Sequence, residues 1–248
     1  MIVRICLLLG SLALFFGSLG PAQAQTRIDG ALRSGNSFTD RITATSTLRV
    51  ESSTPPGAYT ATFSDSVTVG SAGETGILTI EAGSGGSAEA VFDYSTLSLS
   101  NQRVTPLTLQ GTAARIDLTD NGTANRARLT FVMANESSTS TPLYRTISGT
   151  SINATMNGHG VITVRGSTVQ NILLFDLAIG STSNRIGELN IGDGSGLGHA
   201  YMYEAVNAQT INVRAGSDAD TGQHSTAIFH ATSDSSDVVI NNLNITAN

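Results

Sequence analysis

The chain has 248 residues with a formal net charge of −6, and charged residues make up only 13% of it. All 13 basic residues are Arg, and Ser (29), Thr (31) and Gly (26) together fill more than a third of the sequence. An acidic chain without a basic stripe argues against nucleic-acid binding, because neutralising phosphates needs clustered Lys or Arg. A hydrophobic share of 40% argues against disorder, and the scarcity of apolar residues at helical spacing argues against a helical bundle.

The first 24 residues have the features of a secretory signal peptide. Arg4 gives a positive start, residues 5–19 are apolar, and Ala22-Gln23-Ala24 is the small-x-small pattern that precedes a cleavage site. The apolar run is shorter than the roughly 20 residues that a membrane-spanning helix needs. We therefore expect export, with cleavage before Gln25, and no transmembrane span in the mature chain.

The single cysteine, Cys6, lies within this leader. The mature chain therefore has no disulfide and depends on core burial for its stability. The absence of Lys beside abundant Arg and Ala suggests a GC-rich genome, and hence a bacterial source.

Short β-like runs follow one another along the mature chain, separated by Gly, Ser, Asn and Asp. In most of them apolar residues recur at every second position, as in Leu129, Phe131 and Met133. This is the period of a strand with one buried face. The runs are ILTIEAG (77–83), AVFDYSTLSLS (90–100), ARIDLTD (114–120), ARLTFVMAN (127–135), GVITVRGS (160–167), ILLFDLAIGS (172–181), ELNIGDGS (188–195), TINVRAGS (210–217) and DVVINNLNIT (237–246).

We expect an all-β fold, with a parallel β-helix (solenoid) favoured over a β-sandwich. Several runs end in Gly-Ser, as at Gly166-Ser167 and Gly180-Ser181, rather than in a regular Asn-Gly hairpin turn. In a solenoid, each coil buries its inward Ile, Leu and Val against the coils above and below. The aromatic share of 5% fits this fold, because a narrow bore takes stacked aliphatic side chains more readily than large rings. A sandwich remains the alternative, particularly for the N-terminal third.

The prolines suggest a division of the mature chain. None follows Pro142, so the remaining residues can form stacked strands without losing ladder hydrogen bonds. Residues 25–105 carry Pro55-Pro56-Gly57 and the flexible segment GSGGSAE (83–89). We therefore predict an N-terminal β cap or small β unit over residues 25–105 and a solenoid body over residues 106–248.

One segment resembles a calcium-binding loop in spacing. Asp218-Ala219-Asp220-Thr221-Gly222 places alternate carboxylates before a glycine that allows a sharp turn. A complete loop also needs further oxygen ligands, usually including a bidentate Glu, and none follows at a suitable spacing. Asp218 and Asp220 are therefore weak metal-ligand candidates, and we expect a solvated turn there. We expect no cofactor.

A second segment, Asn157-Gly158-His159-Gly160, resembles the G-H-G element of β-helical polygalacturonases, and the following VITVRGSTVQNILLFD (161–176) resembles the continuation in that family. The resemblance implies a carbohydrate site at His159. The chain has no paired Asp-Asp and no Lys, so the family's Arg-x-Lys is missing. Glycoside hydrolysis also needs two carboxylates across the scissile bond, and the sequence identifies no such pair. A turn histidine between two strands is therefore favoured.

In repeat style, the mature chain resembles the passenger regions of bacterial autotransporters and related β-helical surface adhesins. The stretches that carry this resemblance are GELNIGDGSGLGHA (187–200), AQTINVRAGSDADTG (208–222) and DSSDVVINNLNITAN (234–248). The resemblance implies a secreted or outer-surface structural protein without enzymatic activity, used for attachment or as a matrix or envelope coat. Its partners would be glycans, other surface proteins or copies of itself. The alternatives are a carbohydrate-active β-helix enzyme and a pilin-like β-sandwich subunit.

Overall fold

The computed structural model describes sixteen ranges of the chain, which are residues 25–27, 30–32, 36–38, 41–44, 47–51, 58–71, 73–84, 86–95, 105, 107–120, 125–133, 143–166, 171–194, 196–214, 225–229 and 238–246. The expected signal peptide (1–24) and the Asp218/Asp220 segment lie outside these ranges. Within them the regular structure is entirely β-strand. The described part of the chain accordingly contains no apolar helix of membrane-spanning length.

Twenty strands form three parallel ladders, which we name sheets 1, 2 and 3. Sheet 1 contains β1 (Gln25–Arg27), β4 (Arg41–Ala44), β7 (Val67–Val69), β10 (Leu107–Leu109), the first parts of β13 (Leu143–Ala154) and β15 (Asn171–Ile179), β17 (His199–Met202) and β19 (Thr226–Phe229). Sheet 2 contains β2 (Gly30–Leu32), β5 (Thr47–Glu51), β8 (Ile77–Glu81), β11 (Arg115–Thr119), the ends of β13 and β15, and the starts of β18 (Val206–Arg214) and β20 (Val238–Thr246). Sheet 3 contains β3 (Asn36–Phe38), β6 (Tyr59–Phe63), β9 (Ala88–Asp93), β12 (Ala127–Val132), β14 (His159–Arg165), β16 (Ile186–Ile191), and the rest of β18 and β20.

This pairing confirms the all-β, parallel β-helix prediction. The chain visits the three sheets in turn, and each strand pairs with the strand one coil earlier and the strand one coil later. Every pairing between the named strands is parallel, and the antiparallel contact among the described residues is an isolated bridge between Ser71 and Glu74. Parallel strands cannot be joined by tight hairpins. The β-sandwich alternative therefore does not describe the strands of the described ranges.

Alternation along each strand creates the core. In sheet 2, one inward position is filled by an aliphatic residue in coil after coil, and these residues are in register with one another. The members of this column, each fully buried, are Leu48, Leu78, Ile116, Ile152 and Ile179. Parallel sheets buried against other elements favour such branched aliphatic residues, and the column explains the two-residue period seen in the sequence.

The bore holds a stack of large rings beside its aliphatic columns. Phe38, Phe63, Phe92 and Phe131 occupy one inward position of sheet 3 in successive coils, and their rings stack with centroids 5.2, 5.2 and 5.3 Å apart. The rung spacing of a parallel ladder, about 4.8 Å, brings identical residues in register into ring-stacking distance. The rings therefore reinforce the coil repeat instead of disrupting it.

Gly-Ser corners predicted from the sequence coincide with strand ends. β14 ends at Arg165 and β15 ends at Ile179, immediately before Gly166 and Gly180. Both glycines have positive φ, +76° and +67°, a region that side chains disfavour. A Cβ at Gly180 would also collide with the backbone oxygen of Asn207 on the next coil. The chain turns sharply at this corner because glycine allows both the dihedral and the close approach.

Strand pairing continues across the predicted boundary at residue 105. Strands β7, β8 and β9 pair with β10, β11 and β12 on its far side. Whether either part folds alone is a separate question, so the division into a unit over 25–105 and a body over 106–248 stays a prediction.

Candidate functional site

The outer face of sheet 3 carries three parallel columns of side chains. The central column is polar from β12 onwards and contains Thr130, Thr163, Asn190 and Asn212, which are register partners in that order. These residues point away from the core, because their neighbours along each strand, such as Leu129 and Phe131, are fully buried in it. Yet Thr130, Asn190 and Asn212 are themselves only 4%, 8% and 6% exposed. Other side chains on the outer face therefore cover the central column.

Longer charged side chains on both flanks cover the central column. One flank carries Glu89, Arg128 and Glu188, which share a single column. The other flank carries Arg165, Asp193 and Arg214, at or just beyond the ends of their strands. Together with Thr130, Thr163 and Asn190 these residues line a cleft of about 330 Å³. This volume lies at the lower end of the range for small-molecule sites.

Each carboxylate of the cleft already has a hydrogen-bond donor or a cation beside it. Glu89 Oε1 accepts a hydrogen bond of 2.6 Å from the Thr130 hydroxyl. Glu188 Oε1 lies 3.5 Å from Nη1 of Arg126, and Asp193 Oδ2 lies 3.4 Å from Nη1 of Arg165. The second oxygen of Asp193 accepts from the backbone N–H of Gly196 at 2.8 Å. The three carboxylates therefore act as supports for the cleft walls.

The two glutamates of the cleft stand on separate rungs of sheet 3. Glu89 and Glu188 are three rungs apart in one column, which separates their backbones by about 14 Å. Each carboxylate is held by a protein group of its own, Glu89 by the Thr130 hydroxyl and Glu188 by Arg126. Beside them the cleft presents hydroxyl, amide and guanidinium groups, which suits binding.

His159, the carbohydrate-site candidate of the sequence, begins β14 at the corner between sheets 2 and 3. Its Nδ1 lies 2.5 Å from Oδ1 of Asp120, a residue that is only 3% exposed. The other oxygen of Asp120 accepts hydrogen bonds from the backbone N–H groups of Gly160 (2.9 Å) and Ala127 (3.2 Å). Asp120 thus fastens two consecutive coils, and His159 is one of the groups that it holds.

Arg126 links this corner to the cleft. Its Nε lies 3.6 Å from Asp120 Oδ2, its Nη2 donates to the backbone oxygen of Gly160 at 3.2 Å, and its Nη1 approaches Glu188. His159 does not line the cleft itself. Its role at a carbohydrate site stays a prediction, and its described contacts are those of a corner residue that positions the cleft wall through Arg126.

Two buried polar residues were not recognised in the sequence. His199 at the start of β17 is 3% exposed and its Nε2 has no hydrogen-bond partner among the described residues. Burial lowers the pKa of His199 from 6.5 to about 4, because the neutral ring is the cheaper form to bury.

Arg145 of β13 is 4% exposed and lies inside the bore, in register with the core residue Leu173. Its guanidinium lies 5.4 Å from the ring centroid of Tyr94. Burial raises the pKa of Tyr94 well above 10, and the positive charge of Arg145 partly opposes this rise. The strand positions of His199 and Arg145 fit the two-residue period. The local sequence nevertheless does not indicate whether a charged residue points into the bore or away from it.

The metal-ligand candidates of the sequence, Asp218 and Asp220, can be described only by their position in the chain. Asp218 and Asp220 belong to the part of the chain that is not described, so the expectation of a metal-free turn stays a prediction. Within the described ranges, no three His, Cys, Asp or Glu side chains come together in a way that could hold a metal ion.

The cleft residues were missed because each strand contributes only one or two of them. Arg128 with Thr130, and Glu188 with Asn190, show the outward alternation that could have identified them once the coil register was known. Comparison with known proteins adds no functional information, since no protein-family model, no curated protein and no solved structure matches the chain.

Proposed function

We propose that this chain is an exported bacterial structural protein of the cell surface or extracellular matrix, which attaches to glycans through the outer face of sheet 3. The observation that supports the proposal is the cleft, in which hydroxyl and amide groups form the floor and charged side chains form the walls. Saccharide hydroxyls need both donors and acceptors, and Thr and Asn side chains supply both. A rigid stack of coils holds them at fixed spacing.

The adhesin-like interpretation is consistent with the repeat style of the sequence and with the parallel β-helix. A ladder of parallel strands presents side chains at regular intervals of about 4.8 Å along a stiff surface. Such a surface favours many weak polar contacts with an extended partner. Glycans are therefore the partners that we propose first, with other surface proteins or further copies of the chain as alternatives.

Attachment can be tested with the purified exported chain coupled to beads. We expect the beads to be retained on at least one of a panel of immobilised polysaccharides and washed off uncoated matrix. Asn190→Ala removes a cleft-floor amide and should weaken retention several-fold. The matched control is Asn153→Ala on the outer side of sheet 2, where the amide donates to the Ser151 hydroxyl at 3.0 Å. Loss of retention in both variants, or retention on none of the polysaccharides, would contradict the proposal.

Export is tested separately. The protein recovered outside cells that express the full chain should begin at Gln25, as determined by intact mass or N-terminal sequencing. Recovery only inside the cell, with Met1 retained, would contradict the predicted signal peptide.

A further inference from the structure

We propose that the cleft on sheet 3 binds an acidic oligosaccharide, with Arg128 and Arg214 as the residues that contact its acid groups. This inference rests on the proposed glycan attachment and narrows it to one ligand class. It follows from three features of the cleft, namely two arginines without a partner among the described residues, the separation of these two arginines along the sheet, and the chemistry of the floor.

The first feature is that the carboxylates of the cleft have partners among the described residues, whereas two of its guanidinium groups have none there. The cleft holds three carboxylates and three guanidinium groups. The carboxylates of Glu89, Glu188 and Asp193 each have a donor or a cation within the protein. Of the guanidinium groups, only that of Arg165 forms an ion pair within the described structure. Arg128 and Arg214 are exposed and their side chains have no hydrogen bond or ion pair to any described residue.

The position of Arg128 makes this lack of a partner informative. Arg128 is the direct register partner of Glu89 on the neighbouring rung, an arrangement in which opposite charges usually pair. Glu89 is instead hydrogen-bonded to Thr130, on the floor of the cleft. No described residue therefore occupies the donors of the Arg128 guanidinium, and a guanidinium fork favours planar oxyanions.

The second feature is the separation of the two arginines. Arg128 lies on β12 and Arg214 ends β18, three rungs further along sheet 3 and on the opposite flank of the cleft. Three rungs correspond to about 14 Å along the axis, and four residues along a strand separate the two flanks by about 13 Å. These are separations between backbones, and an extended ligand with repeated acid groups spans them better than one small anion.

The third feature is the floor between the two arginines. The Thr163 side chain has no hydrogen bond to a described residue, and the Asn190 amide uses its oxygen to accept from Asn212 at 2.7 Å, so its amino group can donate to a ligand. Hydroxyl and amide groups in register complement saccharide hydroxyls better than a row of bare charges. The ligand class is therefore a saccharide with acid groups, and not a simple anion.

The test measures binding of four ligands to the purified exported chain by isothermal titration calorimetry. These are a hexuronic acid oligomer, a neutral hexose oligomer of equal length, a sulfated form of the same neutral oligomer, and acetate. We expect at least one acidic oligomer to bind more than tenfold more tightly than the neutral one, with affinity that falls as salt is raised. Acetate should not bind measurably, because a single carboxylate makes only one of the contacts that an acidic oligomer makes. Comparing the affinity of the hexuronic acid oligomer with that of the sulfated oligomer shows whether the cleft prefers carboxylate or sulfate groups.

Variants locate the contacts. Arg128→Gln and Arg214→Gln should each raise the Kd of the acidic oligomer roughly tenfold, the effect expected for losing one charge-assisted hydrogen bond. The matched control is Arg115→Gln on the outer side of sheet 2, where the guanidinium already pairs with Asp117 at 2.9 Å. It removes the same charge and should change the Kd less than twofold. Urea-unfolding midpoints of all three variants should match that of the unsubstituted chain.

The outcomes separate this inference from the broader proposal. Equal affinity for acidic and neutral oligomers, unaffected by Arg128→Gln and Arg214→Gln, would overturn the acidic ligand while leaving glycan attachment in place. Equal weakening by all three arginine variants would show a general charge effect and would also overturn the assigned contacts. Failure of every saccharide to bind, together with failure of the coated beads to be retained, would overturn both.

Discussion

The early and late coils of this solenoid fill the same inward position of sheet 3 with different residues. Up to β12 the position is aromatic, and beyond it the position is aliphatic while the register continues unchanged. The aromatic members are Phe38, Phe63, Phe92 and Phe131, and the aliphatic members are Val164, Ile191 and Val213. Coil length does not account for the change, since 25 residues separate Phe38 from Phe63 among the early coils and 27 separate Val164 from Ile191 among the late ones.

In the late coils the large inward side chains lie on sheet 1 instead of sheet 3. Phe175 of β15, Met202 of β17 and Phe229 of β19 are register partners, and all three pack in or against the core. Phe175 meets the end of the aromatic stack edge-on, with its centroid 6.0 Å from that of Phe131 and the two ring planes at 84°. Protein cores are filled to a nearly constant density. The comparison therefore shows that the bore stays filled along its length, because large residues lie on sheet 3 in the early coils and on sheet 1 in the late coils.

The largest expected effect comes from the residue at which this exchange occurs. Phe131→Ala removes a fully buried ring that contacts both Phe92 and Phe175. We expect it to lower the free energy of unfolding by about 3 to 5 kcal/mol, through lost transfer energy and the cavity left behind. Urea unfolding monitored by circular dichroism measures this loss.

The control lies in the same column of the late coils. Ile191→Val deletes one buried methyl group and should cost about 0.5 to 1.5 kcal/mol. A cost for Phe131→Ala no greater than that of Ile191→Val would mean that the aromatic stack carries no special weight, and the contrast between early and late coils would fail.

The second prediction concerns acid sensitivity of the late coils, where His199 is buried. The pKa of His199 is about 4 in the folded chain, whereas an unfolded His titrates near 6.5. Between these values the unfolded chain binds more protons, so the stability is complete above pH 6.5 and declines as the pH falls towards 4. The loss attributable to His199 should be on the order of 3 kcal/mol, measured as the change in unfolding free energy between pH 7 and pH 4.

Carboxylates also titrate in this interval, so His199→Gln serves as the reference. It removes the imidazole and keeps a polar side chain of similar size. The difference in pH dependence between the two proteins should equal the His199 contribution. Parallel stability curves for the two proteins would show that His199 is protonated without cost, in conflict with its burial.

Much of the fold could be predicted from the sequence, because the two-residue period is a local property. Leu129, Phe131 and Met133 alternate along one run, and all three are fully buried as expected. The Gly-Ser corners after Arg165 and Ile179 were also predictable, since glycine adopts the positive φ found there far more readily than other residues. Both signals are contained within a few consecutive residues.

The cleft could not be predicted, since its residues come together only through the register between coils. Arg128, Thr163 and Asn190 belong to three different strands, and their spacing in sequence varies with the length of each coil. The same holds for the Phe stack, whose members recur at unequal intervals. A fixed-period search misses such columns, and an aromatic share of 5% does not indicate that the rings stack.

A third prediction asks whether the aromatic stack could continue into the late coils. Val164 is the register partner of Phe131 and is fully buried. Val164→Phe should destabilise the chain by about 1 to 3 kcal/mol, because Phe175 already fills the adjacent space and extra volume forces strain. Urea unfolding measures the change. Increased stability would mean that the late coils have room for another ring, contrary to the exchange of bulk between sheets 1 and 3.

The smallest effect is expected on the outside of the same two regions. In the late coils Asn212 donates from Nδ2 to Asn190 Oδ1 at 2.7 Å, and both residues are nearly buried beneath the cleft walls. Asn212→Ala leaves that oxygen without its donor and should cost about 1 kcal/mol. Thr62, two coils before Thr130 in the same outward column, lies in the early coils, and Thr62→Ala should change stability by less than about 0.5 kcal/mol. Urea unfolding measures the loss of stability in both variants. Equal losses would show that the amide pair does not stabilise the late coils. The outer column of sheet 3 would then be alike in the two regions, whereas the inner column differs.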